Sequence, residues 1–153
     1  MIFQRTIQRS DLLCFALLWL AALGLFCLDL GGVPLRDWDE GTVAQVAREI
    51  SQGVTWTAWL HPQLWGDPYL NKPPLLHSLV AAGFQVFGIH TWVARLPGAV
   101  LTATSVPLLY LLGREIFPAR TYAVLGAGVY LSCLPVVRHG RLAMLDGAVT
   151  CFF

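Results

Sequence analysis

Charge is scarce in this chain: among 153 residues there is one lysine, Lys72, one asparagine, Asn71, and charged side chains make up only 12%. With 56% hydrophobic residues and a mean hydropathy of +0.62, it carries more apolar surface than a water-soluble domain of this size can cover. The class implied is an integral membrane protein. A net charge of +1 and the lack of like-charge runs exclude nucleic acid as a partner, so partners are sought in the bilayer. Cys14, Cys27, Cys133 and Cys151 have neither the paired spacing of a zinc site nor the density of a disulfide framework, and read as buried thiols. His61, His77, His90 and His139 lack ligand spacing such as H-x-x-x-H, which argues against a haem or metal site. No cofactor is implied, and a requirement for a divalent metal is left open.

What is abundant is long apolar runs. Arg5 and Arg9 precede an apolar stretch with no small-x-small cleavage site after it. As a helix, residues 12–30 would cover about 28 Å, so an uncleaved anchor that starts in the cytoplasm is expected and the first loop lies outside. In that loop "DEGTVAQVAREIS" sets Val43, Val46, Ala47 and Ile50 at helical spacing, an amphipathic helix suited to the membrane surface. Residues 55–69, rich in Trp, Pro and Gly, read as an irregular loop with Trp56, Trp59, Trp65 and Tyr69 at headgroup level.

Further apolar stretches follow at 75–88, 91–112 and 121–137, and 144–153 reads as the start of another. "GREIFPAR", with Arg114 and Arg120, is the better cytoplasmic connection, so 91–112 begins outside. At about 21 Å, 75–88 is short for a crossing and is expected to be re-entrant or surface-lying. With 121–137 returning outward, "RHGRLAMLD" emerges on the face of Asp39 and Lys72; if all three stretches cross, Asp146 falls on the opposite face. No repeat or linker divides residues 1–153, which read as one membrane unit.

Charges beside apolar segments need water, a partner or a ligand. Asp39 is a natural N-cap for the amphipathic helix, or a carboxylate held at the interface as a general base. Lys72 in "YLNKPPLLH" either snorkels to the headgroups or, stiffened by Pro73 and Pro74, is aimed at a lipid phosphate. Ordinary topology would account for Arg138 and Arg141, a helix start for Asp146, and Arg95 with Pro97 could mark another helix beginning.

Taken in order, "DEGTVAQVARE" (39–49), "YLNKPPLLH" (69–77), "ARLPGAV" (94–100), "GREIF" (113–117) and "RLAMLDG" (141–147) resemble the polyprenyl-phosphate-dependent membrane glycosyltransferases of the GT-C class. Within that class it looks like the protein O-mannosyltransferases and the aminoarabinose transferases that modify lipid A. The resemblance covers residues 36–153 and implies the N-terminal part of a multi-span, all-α GT-C helical bundle whose extracytoplasmic first loop carries a juxtamembrane helix. It implies Asp39 as the catalytic carboxylate, Lys72 at the donor phosphate with Tyr69 on an aromatic position before it, and Asp146 on the acid after the third span. Glu40, Asp146, Arg138 and Arg141 are expected as supporting residues. The chain departs from the pattern where Gly41, Thr42 and Val43 follow Glu40 and where Asn71 replaces a frequent acid.

The implied partners are a polyprenyl-phosphate sugar donor, a lipid or protein acceptor, and the membrane. The implied location is a multi-pass place in a bacterial inner membrane, with the active face extracytoplasmic. As members of the class are several times longer, an N-terminal fragment with little activity alone is expected. Two other classes fit the apolar helices: a small non-enzymatic membrane protein that binds a larger partner, and a transporter fragment.

Overall fold

Residues 8–53 and 56–152 are described in the computed structural model; Arg5, Thr55 and Phe153 of the segments above lie outside them. The first helix, α1 (Arg9–Cys27), is built from Leu, Ala and Phe and starts on a capping box between Gln8 and Asp11. Leu12, Leu13, Leu17 and Leu20 project outward from it, as lipid-facing side chains do. Against α1 lies α5 (Thr91–Ile116), the longest helix among the described residues. These two are long and apolar enough to cross a membrane.

The expected third stretch is not one straight helix. α6 (Arg120–Ser132) and α7 (Leu134–Gly140) meet at an extended Cys133 and are bent by 60°, so they make a third crossing only if the bent pair counts as one. Pro135, which has no N–H to donate, is accommodated in the first turn of α7, just past the break. The bend swings α7 across the end of α1, where Arg141 donates to the Leu28 carbonyl. Small residues let this segment approach α5: a Cβ added to Gly140 would lie 2.5 Å from Thr102 Cγ2, and one added to Gly147 2.7 Å from Thr102 Oγ1. Gly147 belongs to α8 (Leu145–Val149), a single short turn of helix.

α2 (Asp39–Gln52) and α4 (Leu75–Phe87) run side by side in the same direction. Val43, Val46, Ala47 and Ile50 are buried with Leu76, Val80, Ala81 and Phe84 of α4 and Val93 and Ala94 of α5. The amphipathic stripe of α2 is therefore covered by protein and not laid on the membrane surface. Its periodicity specified a buried face but could not say what buries it. Between the two helices, the described part of that loop, 56–69, is less irregular than expected. It holds α3 (Trp56–Leu60) and an antiparallel pair, β1 (Gln63–Leu64) and β2 (Asp67–Pro68), closed by Trp65 and Gly66, both at positive φ. Trp56 and Trp65 are exposed, but Trp59 packs on the core and Tyr69 is buried. The cysteines are free; Cys14, Cys27 and Cys151 are half-buried, and Cys133, at the bend, is exposed where a buried thiol was expected.

Two ionic clusters tie the helices at opposite ends of α5. At one, Asp11 accepts from Tyr110 Oη (2.7 Å), Arg114 Nε (2.8 Å) and Arg120 Nε (3.1 Å), joining α1, α5 and α6. At the other, Arg95 meets Glu40. Arg95 and Arg114 are about 28 Å apart along the helix, close to the thickness of bilayer hydrocarbon.

Candidate functional site

The first turn of α2 presents two consecutive acids. Asp39 was expected either to cap the helix or to be held at the membrane interface as a general base. The helix is instead preceded by Trp38 at φ +79° with no side-chain cap, and Asp39 stands in the first turn. Its Oδ1 lies 3.5 Å from Lys72 Nζ, with the two side chains 49% and 34% exposed. The pair is open to water and to a ligand.

Lys72 is aimed from below. Pro73 and Pro74 stiffen the chain into α4, and the Pro74 carbonyl accepts the Ser78 N–H at 2.9 Å. The preceding loop is fastened to α2 by Glu49, whose carboxylate accepts the Trp65 N–H (2.8 Å) and the side chain of Gln45 (2.8 Å). At the far ends of the two helices, Gln85 Nε2 donates to the Ser51 carbonyl at 3.3 Å. Tyr69, held by an N–H bond to the Pro62 carbonyl (2.8 Å), lines a cavity of about 340 Å³ with Asn71, Lys72 and Pro73.

Under Tyr69, His77 is fully buried, its ring edge-on to the tyrosine with centroids 5.7 Å apart. Its Nδ1 is 3.3 Å from the Pro73 carbonyl, while Nε2 has no partner among the described residues. Burial lowers its pKa, and the Lys72 ammonium pushes the same way against the Pro73 hydrogen bond. A neutral imidazole with its proton on Nδ1, donated to Pro73, fits this setting.

Glu40 behaves differently. It is wholly buried and grips Arg95 in a fork, Nε to Oε1 at 2.8 Å and Nη2 to Oε2 at 2.9 Å. Arg95 spends its remaining N–H groups on the carbonyls of Leu30 (2.7 Å), Val33 (2.9 Å) and Pro34 (2.9 Å), so all five donors of the guanidinium are engaged. Glu40 also accepts the N–H of Ala143 (2.8 Å) and of Arg36 (3.0 Å). Burial raises its pKa, but the Arg95 bonds, then those two N–H groups, outweigh it and hold the carboxyl below its ordinary value.

Sequence reasoning missed this role of Arg95, which sits in the second turn of α5 rather than at its beginning. The signal was available: an arginine inside "TWVARLPGAV" requires a buried partner. Glu49 was also missed, because nothing local marks a helix acid as the anchor of a distant turn.

The remaining expected residues lie apart. Arg138 and Arg141 line a second cavity with Arg36 and Asp29. Asp146 is exposed at the start of α8 and is not paired with Asp39 or Lys72. The Ala143 bond to Glu40 nevertheless brings its segment to the Asp39 end of the molecule. Among the described residues no cluster of three or more His, Cys, Asp or Glu side chains gathers to hold a metal ion.

Residues 71–153, more than half of the chain, match the family described as dolichyl-phosphate-mannose-protein mannosyltransferase. The chain belongs to that family. The match takes in Lys72, Arg138, Arg141 and Asp146 and begins after Asp39 and Tyr69. Similar proteins include the undecaprenyl phosphate-alpha-4-amino-4-deoxy-L-arabinose arabinosyl transferases of Pseudomonas savastanoi pv. phaseolicola and Pseudomonas paraeruginosa. The first is 36% identical over 71% of this chain and 20% of its own length, and the second 33% over 87% and 24%. The corresponding transferase of Erwinia tasmaniensis is 30% identical over 73% of this chain and 20% of its own length. A stretch covering 87% of the chain necessarily includes Asp39, Tyr69 and Lys72. The chain spans about a fifth to a quarter of the length of these curated relatives. No solved structure matches it.

Proposed function

We propose that this family member is the N-terminal part of a glycosyltransferase that moves a sugar from a polyprenyl-phosphate donor to a lipid or protein acceptor. The observation that carries the reading is the meeting of Asp39 and Lys72, distant in the chain, at 3.5 Å on the open side of α2. Asp39 takes the proton of the acceptor hydroxyl, and the freed oxygen attacks the anomeric carbon. The bond from that carbon to the phosphate oxygen breaks, and the electron pair leaves with the polyprenyl phosphate, whose negative charge faces the Lys72 ammonium. One displacement inverts the anomeric centre. Tyr69 walls the cavity beside Lys72, and Glu40 holds the turn that presents Asp39. Arg138, Arg141 and Asp146 border the same end of the bundle.

The spans in this reading are α1, α5 and the bent α6–α7 pair, with a further one beginning at 144–153. α4, at about 20 Å, stays on one side of the bilayer as a re-entrant or surface helix. Arg5 ahead of α1 and Arg9 at its first position support a cytoplasmic start, which puts Asp39 and Lys72 on the extracytoplasmic face; the bacterial relatives support the inner membrane.

The test is transfer from a polyprenyl-phosphate sugar donor by the longest reading frame that contains this chain, with Asp39→Asn and Lys72→Ala as variants. Each is expected to lower kcat/KM by about 10² or more. Full activity in either variant would remove that residue from the mechanism.

A further inference from the structure

The second cavity, about 320 Å³, lies between the loop that follows α1 and the bent helix α7. Three guanidiniums besides that of Arg95 line it: those of Arg36, Arg138 and Arg141. The Arg95 charge is cancelled by Glu40, and Arg141 reaches the Leu28 carbonyl. Arg36 and Arg138 are exposed, and among the described residues their guanidiniums have no hydrogen-bond or ion-pair partner. Among the described residues that line the cleft, Asp29 is the one acid; it folds back over Gly32, where an added Cβ would meet its Oδ2 at 2.2 Å.

Three cations against one acid leave an excess of two positive charges, which matches a phosphate monoester near neutral pH and exceeds a diester. Guanidiniums also suit the planar, forked contact that phosphate oxygens accept. The apolar part of the lining includes Val33 and Leu134, which are 61% and 74% exposed, and the cleft opens at the end of the apolar run of α1. An anion with a hydrocarbon chain satisfies both the cations and this rim, whereas a free anion satisfies only the cations.

We propose that the Arg36–Arg138–Arg141 cleft binds the phosphate-monoester headgroup of a membrane lipid, at a site separate from the Lys72 cavity. The site does not depend on the transferase reading, because its occupancy is read by binding alone.

The purified chain is placed in phosphatidylcholine nanodiscs containing a minor share of either phosphatidic acid or phosphatidylglycerol, and the lipid retained after release is measured by native mass spectrometry. Phosphatidic acid is expected to be retained over both other lipids, and the Arg36→Gln/Arg138→Gln double variant to lose that preference by about tenfold or more. Lys72→Ala is expected to keep it, which separates this cleft from the proposed donor site. The charge-preserving Arg36→Lys/Arg138→Lys variant is expected to retain the lipid too, and its failure would overturn a charge-based site whatever the folding of the glutamine variant. Equal retention by the glutamine variant, or displacement of phosphatidic acid by inorganic phosphate at matching concentration, would also overturn the proposal.

Discussion

Asp39 and Glu40 are neighbours in sequence with opposite surroundings. Glu40 is enclosed, gripped in a fork by Arg95 and bonded by two backbone N–H groups. Asp39 faces Lys72 at 3.5 Å, with both side chains partly in water. A single turn of helix thus carries both a carboxylate committed to holding the fold and one available to a ligand. The lesson is that the more strongly bonded of two adjacent acids is the poorer candidate for chemistry: protonating or displacing Glu40 would loosen the bundle, whereas Asp39 can change partner at small cost.

The largest effect should come from breaking the enclosed pair. Glu40→Gln leaves Arg95 buried and underpaired, and is expected to lower stability in detergent micelles by about 3–5 kcal/mol. Asp39→Asn, measured the same way, should cost no more than about 1 kcal/mol. Equal losses would erase the distinction. Next in size, Gly140→Val, which drives a side chain into Thr102, should cost about 1–3 kcal/mol by lifting the α7–α8 segment off α5.

Acid provides a finer probe. The Glu40 carboxyl is depressed below its ordinary 4.5, so its contribution is fully present above that pH and is lost as pH falls through the lower folded value. The unfolding temperature should therefore drop below about pH 4.5 in the wild type, and Glu40→Gln should show a shallower fall over the same range. Parallel curves would mean that another group carries the acid sensitivity. The smallest stability effect is expected for Glu49→Ala, within about 1 kcal/mol. By freeing the Trp65–Gly66 turn it should nonetheless lower sugar transfer by the full-length frame several-fold, if Lys72 needs a fixed aim. Unchanged transfer would show that Pro73 and Pro74 suffice to direct the ammonium.

Much of the helix content was legible, because long apolar runs in a charge-poor chain have few other ways to satisfy their backbone in a membrane. The break at Cys133 was not, since hydropathy is blind to a bend between two apolar helices. Asp39 and Lys72 stood out as charges beside apolar segments, but local chemistry left each with a structural alternative and only the family resemblance joined them in one site; the structure sets them 3.5 Å apart. Arg95 was passed over because a nearby proline offered a local explanation, while its true partner lies 55 residues away. The stripe of α2 was legible as a face but not as a contact, since lipid and protein select for the same side chains. The arginine cleft was invisible for a different reason: Arg36 and Arg138 come from separate loops and helices that only the bent α7 draws together.

The clusters at the two ends of α5 act on it as clamps act on a rod. With Asp11 gripping one end and Glu40 the other, the rod cannot slide along its own axis past α1 and α2 without rupturing a grip. Among the described residues, the layer formed by α2, α4 and their hairpin has one such ionic grip on α5, at Glu40, and otherwise rests on packing against Val93 and Ala94. A distance probe between Trp65 and the α5 midpoint is therefore expected to vary more than the α1–α5 spacing, which is pinned at both ends.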